Sequence, residues 1–155
     1  MRLLEYEAKQ LLRQATVAVP SGTLITSSSQ LTDLHLPIVL KAQVPIGGRG
    51  KLGGVVIVDT PDDIGKSVQS MLKMNIKGYT PTSLLAEEKL DIDAEYYLAL
   101  LIDYSSSDIK LVAHTNGGID VEENELSDFF TVSIDATSIT DCAAQVSDYL
   151  NYPLA

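Results

Sequence analysis

Apolar residues at Leu3, Leu4, Ala8, Leu11, Leu12 and Ala15 recur at the three-and-four spacing of one helix face, which predicts an amphipathic helix over residues 3–15. Val17 to Pro20 ends it, and Ser21 to Thr26 reads as a short strand. Ser27 to Leu34 suits a short helix with Ser27 or Ser28 as its N-cap. Pro37 to Val44 (PIVLKAQV) is rich in β-formers and predicts a buried strand that carries one lysine, Lys41. A glycine-dense break covers Pro45 to Gly54, and strand character resumes over Val55 to Val58. Thr60-Pro-Asp-Asp63 is a helix start: a capping residue, a proline at the first helical position and two acids at the positive end of the dipole. That helix should run to about Lys73 and bury Ile64, Val68, Met71 and Leu72. Further strands are predicted at Ser83 to Glu88, Glu95 to Tyr104, Ile109 to His114 and Phe129 to Ile134, with a turn at Asp103 to Asp108. Thr137 to Tyr149 reads as a closing helix with Cys142 on its apolar face. Strands and helices mixed with hairpin-like pairs argue for an α+β fold over a doubly wound parallel sheet.

Composition narrows the class. A chain of 155 residues, 45% apolar and 21% charged, suits one globular domain or two small lobes. The longest apolar run, Tyr96 to Ile102, is far too short to cross a bilayer, and no signal peptide opens the chain. A single cysteine, Cys142, leaves no internal disulfide framework and fits a reducing, cytosol-like compartment. The formal charge of −10 is unevenly placed. Residues 1–89 hold ten of the eleven basic residues against eight acids, whereas residues 90–155 hold thirteen acids and only Lys110. Such a second half is a poor nucleic-acid surface, because phosphate contacts need clustered Lys and Arg. It is either a solvated face or a surface for a basic partner or a further segment of the fold.

The chemistry concentrates at the glycine break. Five of the ten glycines fall between residues 47 and 54, with Arg49 and Lys51 among them and Lys41 on the strand before. Glycine backbone N–H groups can approach an anion closely, so the stretch is a candidate phosphate site. It is not a P-loop, since Leu52 follows Lys51 and Pro45 stands where the first glycine belongs. Gly48, Gly50 and Gly53 fit GxGxxG, but a strand follows where a dinucleotide site needs a helix. A hairpin folding over phosphates and an ordinary glycine-rich turn both remain open. Glu87, Glu88, Asp91, Asp93 and Glu95 form a second constellation, either holding ribose hydroxyls or making a hydrophilic loop. His35 and His114 have no partners at metal-ligand spacing.

Residues 1–12 (MRLLEYEAKQLL), Val39 to Val44 (VLKAQV) and Gly47 to Val55 (GGRGKLGGV) resemble the β subunit of succinyl-CoA synthetase, the ADP-forming succinate–CoA ligase. Leu85-Ala-Glu87, Glu95-Tyr-Tyr-Leu98 and Gly117-Gly118 extend the resemblance across the chain. It implies an ATP-grasp fold with mixed and antiparallel sheets and flanking helices: residues 1–89 as the N-terminal helix and first lobe, residues 90–155 as a partial second lobe. It implies ATP or ADP as ligand, with Lys41 on the phosphates, Gly48, Arg49 and Gly50 covering them, and Glu87 and Glu95 as nucleotide-contacting glutamates. Many family members that use guanine nucleotides carry Gln at the position of Pro20, so proline leans toward adenine; Leu90 stands where the family commonly has a threonine that contacts the nucleotide. The resemblance also implies a partner α subunit bearing the phosphohistidine and the CoA site, no nucleic-acid or membrane partner, and a cytoplasmic place in the tricarboxylic acid cycle. Mg²⁺ is expected in the complete enzyme through an Asn and an Asp that this chain lacks. The chain alone is therefore expected to bind nucleotide weakly and catalyse nothing. Two other readings stay open: a non-catalytic ATP-grasp-like binding or assembly module, and the same region of a malate or citrate ligase.

Overall fold

The computed structural model describes residues 2–27, 34–118, 121–134 and 139–152, and they form two compact units, Met1–Asp91 and Ile92–Ala155. In the first unit the elements run α1 (Glu5–Gln14), β1 (Gly22–Ile25), β2 (Ile38–Ala42), β3 (Val55–Val58), α2 (Pro61–Lys73) and β4 (Leu84–Glu88). The four strands make one antiparallel sheet in the order β1-β4-β2-β3, so the last strand inserts between the first two. The helix suggested for Ser27 to Leu34 falls mostly outside the described residues.

Strand periodicity sorts the side chains of this sheet onto two faces. Ile25, Ile38, Leu40, Ala42, Val58, Leu84 and Ala86 face a core closed by Ile64, Val68 and Met71 of α2 and by Ile76. Leu72 packs against this cluster while partly buried. The start of α2 follows its local signals: Thr60 is extended at the N-cap, Pro61 takes the first turn, and Asp62 and Asp63 follow. The Thr60 hydroxyl, however, donates to Asp63 Oδ2 at 2.7 Å instead of accepting a helix N–H.

The opposite face of the sheet carries Val39, Lys41, Leu85 and Glu87, and there α1 behaves unexpectedly. The helix forms, with Glu7 Oε2 accepting the Leu4 N–H at 2.7 Å, but none of its residues is buried. Its leucine stripe stays outside, with Leu3, Leu11 and Leu12 all exposed. Charged side chains from the first two turns turn to the sheet instead.

The second unit has β5 (Tyr97–Asp103), β6 (Asp108–His114), β7 (Phe130–Ile134) and α3 (Ile139–Leu150). Its antiparallel sheet has the order β5-β6-β7, and α3 packs on β6 and β7 with Cys142 and Val146 buried. β5 begins two residues later than predicted, and just before it the Glu95 carbonyl accepts the Gly117 N–H at 2.9 Å. Leu98, Leu100 and Ile102 on β5 remain exposed. Two 3-10 turns, Val121–Glu123 and Leu126–Asp128, occupy the stretch between β6 and β7. Both units together are α+β. Among the described residues no helix is long and apolar enough to cross a membrane.

Candidate functional site

Register brings the first candidate pair together. Val39 lies opposite Glu87 and Lys41 opposite Leu85, so Lys41 and Glu87 are diagonal neighbours on one face. Lys41 Nζ reaches Glu87 Oε2 at 2.5 Å. Above them α1 lays an i,i+4 pair, Glu5 and Lys9, joined at 2.9 Å. Lys9 bonds the other Glu87 oxygen, Oε1, and Lys41 also meets Glu5 Oε1 at 3.2 Å. Arg49, from the glycine break, closes the cluster on Glu5 Oε2. Gln43 anchors the helix from below: its Oε1 accepts the Tyr6 N–H at 3.1 Å and its Nε2 donates to the Lys41 carbonyl at 3.0 Å.

Three cations thus share two carboxylates, leaving the cluster with a net positive charge. Burial pushes the Glu5 carboxyl up, but the Lys9 hydrogen bond and the charges of Arg49, Lys41 and Lys9 outweigh it and bring it from 4.5 down to about 2. Burial likewise pulls Lys41 down, and the Glu87 hydrogen bond with the charges of Glu5 and Glu87 raises it above its ordinary 10.5. Arg49 Nε is buried with no hydrogen-bond partner among the described residues.

The glycines do different jobs. A Cβ on Gly22 would lie 2.8 Å from Glu87 Cγ and 3.0 Å from the Ala86 carbonyl, so only glycine lets β1 pass the buried glutamate. Gly47 and Gly48 are exposed, a Cβ added at either would meet nothing within 4 Å among the described residues, and Gly48 takes φ +69°, which favours glycine. Gly50 opens a 3-10 turn to Leu52, and its carbonyl accepts the Gly53 N–H at 3.1 Å. The loop is therefore wound tightly after Arg49 and uncovered before it. On the uncovered side lies a cavity of about 390 Å³ walled by Arg2, Leu3, Glu5, Pro45, Gly47 and Arg49.

The structure brings together Lys41, Arg49 and Glu87, with Gly48 and Gly50 flanking Arg49. Glu87 is 2% exposed, with a lysine on each oxygen, so in this state it anchors the cluster. Glu95 belongs to the second unit, where its carboxylate lies against Gly118. Residue patterning missed Glu5, Lys9, Gln43 and Arg2. The Glu5–Lys9 spacing within EYEAK was the available signal. Glu88, from the acidic stretch, accepts the Ser21 N–H at 2.9 Å. His114 is buried, takes the Asn116 N–H on Nδ1 at 2.9 Å and packs on Phe129.

A family model described as "ATP-grasp domain" matches residues 2–137. The chain belongs to the ATP-grasp domain family. Over 127 residues it is 39% identical to the "Succinate--CoA ligase [ADP-forming] subunit beta" of Ignicoccus hospitalis, a match covering 79% of this chain and 34% of that protein. The same identity and coverage relate it to the "Succinate--CoA ligase [GDP-forming] subunit beta" of Thermus thermophilus. The chain thus spans about a third of the length of the curated relatives it matches. The solved ACD1 of Ca. Korarchaeum cryptofilum, in complex with coenzyme A, superposes with a TM-score of 0.71 at 18% identity, over 95% of this chain and 67% of that one. That likeness is one of fold.

Within this ATP-grasp chain, the cluster suits an anionic polyphosphate: convergent cations, an uncovered glycine backbone and an unsatisfied guanidinium nitrogen. A divalent metal finds no comparable fit. Among the described residues no three His, Cys, Asp or Glu side chains are placed to hold one.

Proposed function

We propose that this ATP-grasp chain is the nucleotide-binding part of a succinate–CoA ligase β subunit. Lys41, Arg49 and the backbone N–H groups of residues 47–50 take the polyphosphate of ADP or ATP. The observation that carries this is the meeting of Lys9, Lys41 and Arg49 beside the uncovered Gly47–Gly48 backbone. The names of the matched β subunits supply the acid and the reaction class.

In that role a phosphoryl group passes between ADP and a phosphohistidine on a partner α subunit. Phosphoryl transfer depends on positioning and on neutralising charge at the phosphate oxygens. Arg49 offers a planar guanidinium for paired oxygens, and Lys41 offers a point charge held in place by Glu87. Lys9, on the other Glu87 oxygen, stops that carboxylate from following Lys41 toward the ligand. Glu95 is part of the same proposal as a further nucleotide-contacting glutamate. Mg²⁺ belongs to the complete enzyme in this proposal; among the described residues no group of three His, Cys, Asp or Glu is placed to hold it. A cytosolic location belongs to the same proposal.

Relatives named for ADP and for GDP match equally well, so the base is best read directly. Isothermal titration with Mg·ADP, Mg·ATP and Mg·GTP is the test. Adenine nucleotides are expected to bind, and Lys41→Ala should weaken them roughly 10- to 150-fold, the worth of one charge-assisted contact of about 1.5–3 kcal/mol. Undiminished affinity in the variant would contradict the assignment.

A further inference from the structure

Two carboxylates share the lysines of the cluster, yet they sit very differently. The Glu87 side chain is 1% exposed, lodged beside Gly22 with a lysine on each oxygen. Glu5 stands at the rim, in the first turn of α1, and among the described residues is the one acid in the wall of the 390 Å³ cavity. Its side chain is 21% exposed and that of Arg49 is 18% exposed, so this pair can separate without opening the core. The contacts of Glu5 are those a phosphate would seek: Arg49 on Oε2, with Lys9 at 2.9 Å and Lys41 at 3.2 Å on Oε1.

We propose that Glu5 is a displaceable counter-ion, which holds Lys41 and Arg49 in the ligand-free protein and surrenders them to the incoming phosphates. The proposal rests on the polyphosphate reading above. Without an anion at the rim, Lys9, Lys41 and Arg49 would repel one another beside the single remaining carboxylate of Glu87. With a polyphosphate bound, a Glu5 fixed in place would repel the ligand at similar range. Lys9 resolves the conflict. Four residues along the same helix, it keeps Glu5 paired after Arg49 and Lys41 have moved to the ligand. Glu5 thus orders the cations in advance and lowers affinity, because each binding event must replace one anion by another.

Isothermal titration of the 155-residue chain and its Glu5→Gln variant with inorganic tripolyphosphate, and separately with ADP, tests this. The variant is expected to bind both about tenfold more tightly. Equal or weaker binding would mark Glu5 as a plain structural ion-pair partner and overturn the proposal. If neither protein binds tripolyphosphate or ADP, the polyphosphate reading itself falls, and the proposal with it. A second readout needs no variant. Carbon-detected NMR of the Glu5 carboxyl should show its pKa rising from about 2 when tripolyphosphate saturates the protein, as Arg49 and Lys41 leave it. An unmoved value under saturation would equally overturn the proposal.

Discussion

The two units solve the same problem, how to cover an antiparallel sheet, in different ways. In Met1–Asp91 the sheet is covered on both sides, by the apolar face of α2 and by a charged face of α1. In Ile92–Ala155 the sheet is backed by α3 on β6 and β7, while Leu98, Leu100 and Ile102 of β5 stay in contact with water. The apolar cover supplies the larger share of stability, since burial acts on every methylene and ion pairs recover little beyond their desolvation. The ionic cover supplies something else: cations held in fixed positions beside an uncovered glycine backbone. Charge occupies a face where the first unit could otherwise have used more leucine.

This contrast breaks most visibly in the core. Leu40→Ala, at a fully buried position, is expected to lower the unfolding free energy by about 3–5 kcal/mol in urea melts. Next comes the ionic side. Glu87→Gln leaves Lys9 and Lys41 with Glu5 as their remaining carboxylate and should cost about 2–3 kcal/mol, less than a fully buried pair because the lysines are partly exposed. A change below about 0.5 kcal/mol in the same melts would mean that the ionic face adds nothing to the fold. A smaller effect lies in acid. The Glu5 carboxyl falls from 4.5 unfolded to about 2 folded, so its stabilisation is complete above about pH 4.5 and disappears as pH drops toward 2. Melting points recorded across that window should decline for the native chain and decline less for Glu5→Gln. Lys41 is raised, so its share is present below pH 10.5 and is lost only in stronger alkali. The smallest effect belongs to β5: Leu100→Ser, at 65% exposure, should shift stability by less than about 0.5 kcal/mol.

What could be read in advance follows the range of the forces involved. Thr60-Pro-Asp-Asp63 announces α2 because a fixed proline φ and dipole charge both act within one turn, even though the Thr60 hydroxyl turns to Asp63 instead of capping. The glycine run and Lys41 single out the proposed site because their chemistry is local and unusual. The Glu5–Lys9–Glu87–Lys41 cluster was not legible, since it exists only because β4 inserts between β1 and β2 and α1 lies across that face. Periodicity along a chain says which residues share a face but not which strand lies beside which. The leucine spacing of α1 foretold the helix but not which side chains face the sheet, because the sheet beneath offers Lys41, Gln43 and Glu87.

The most direct measurement is an amide NMR titration of the 155-residue chain with ADP. Saturable shifts are expected, concentrated at the N–H groups of Gly47, Gly48, Arg49 and Gly50, with Lys41 moving in step. Saturable binding that leaves those amides unmoved would contradict the proposed site.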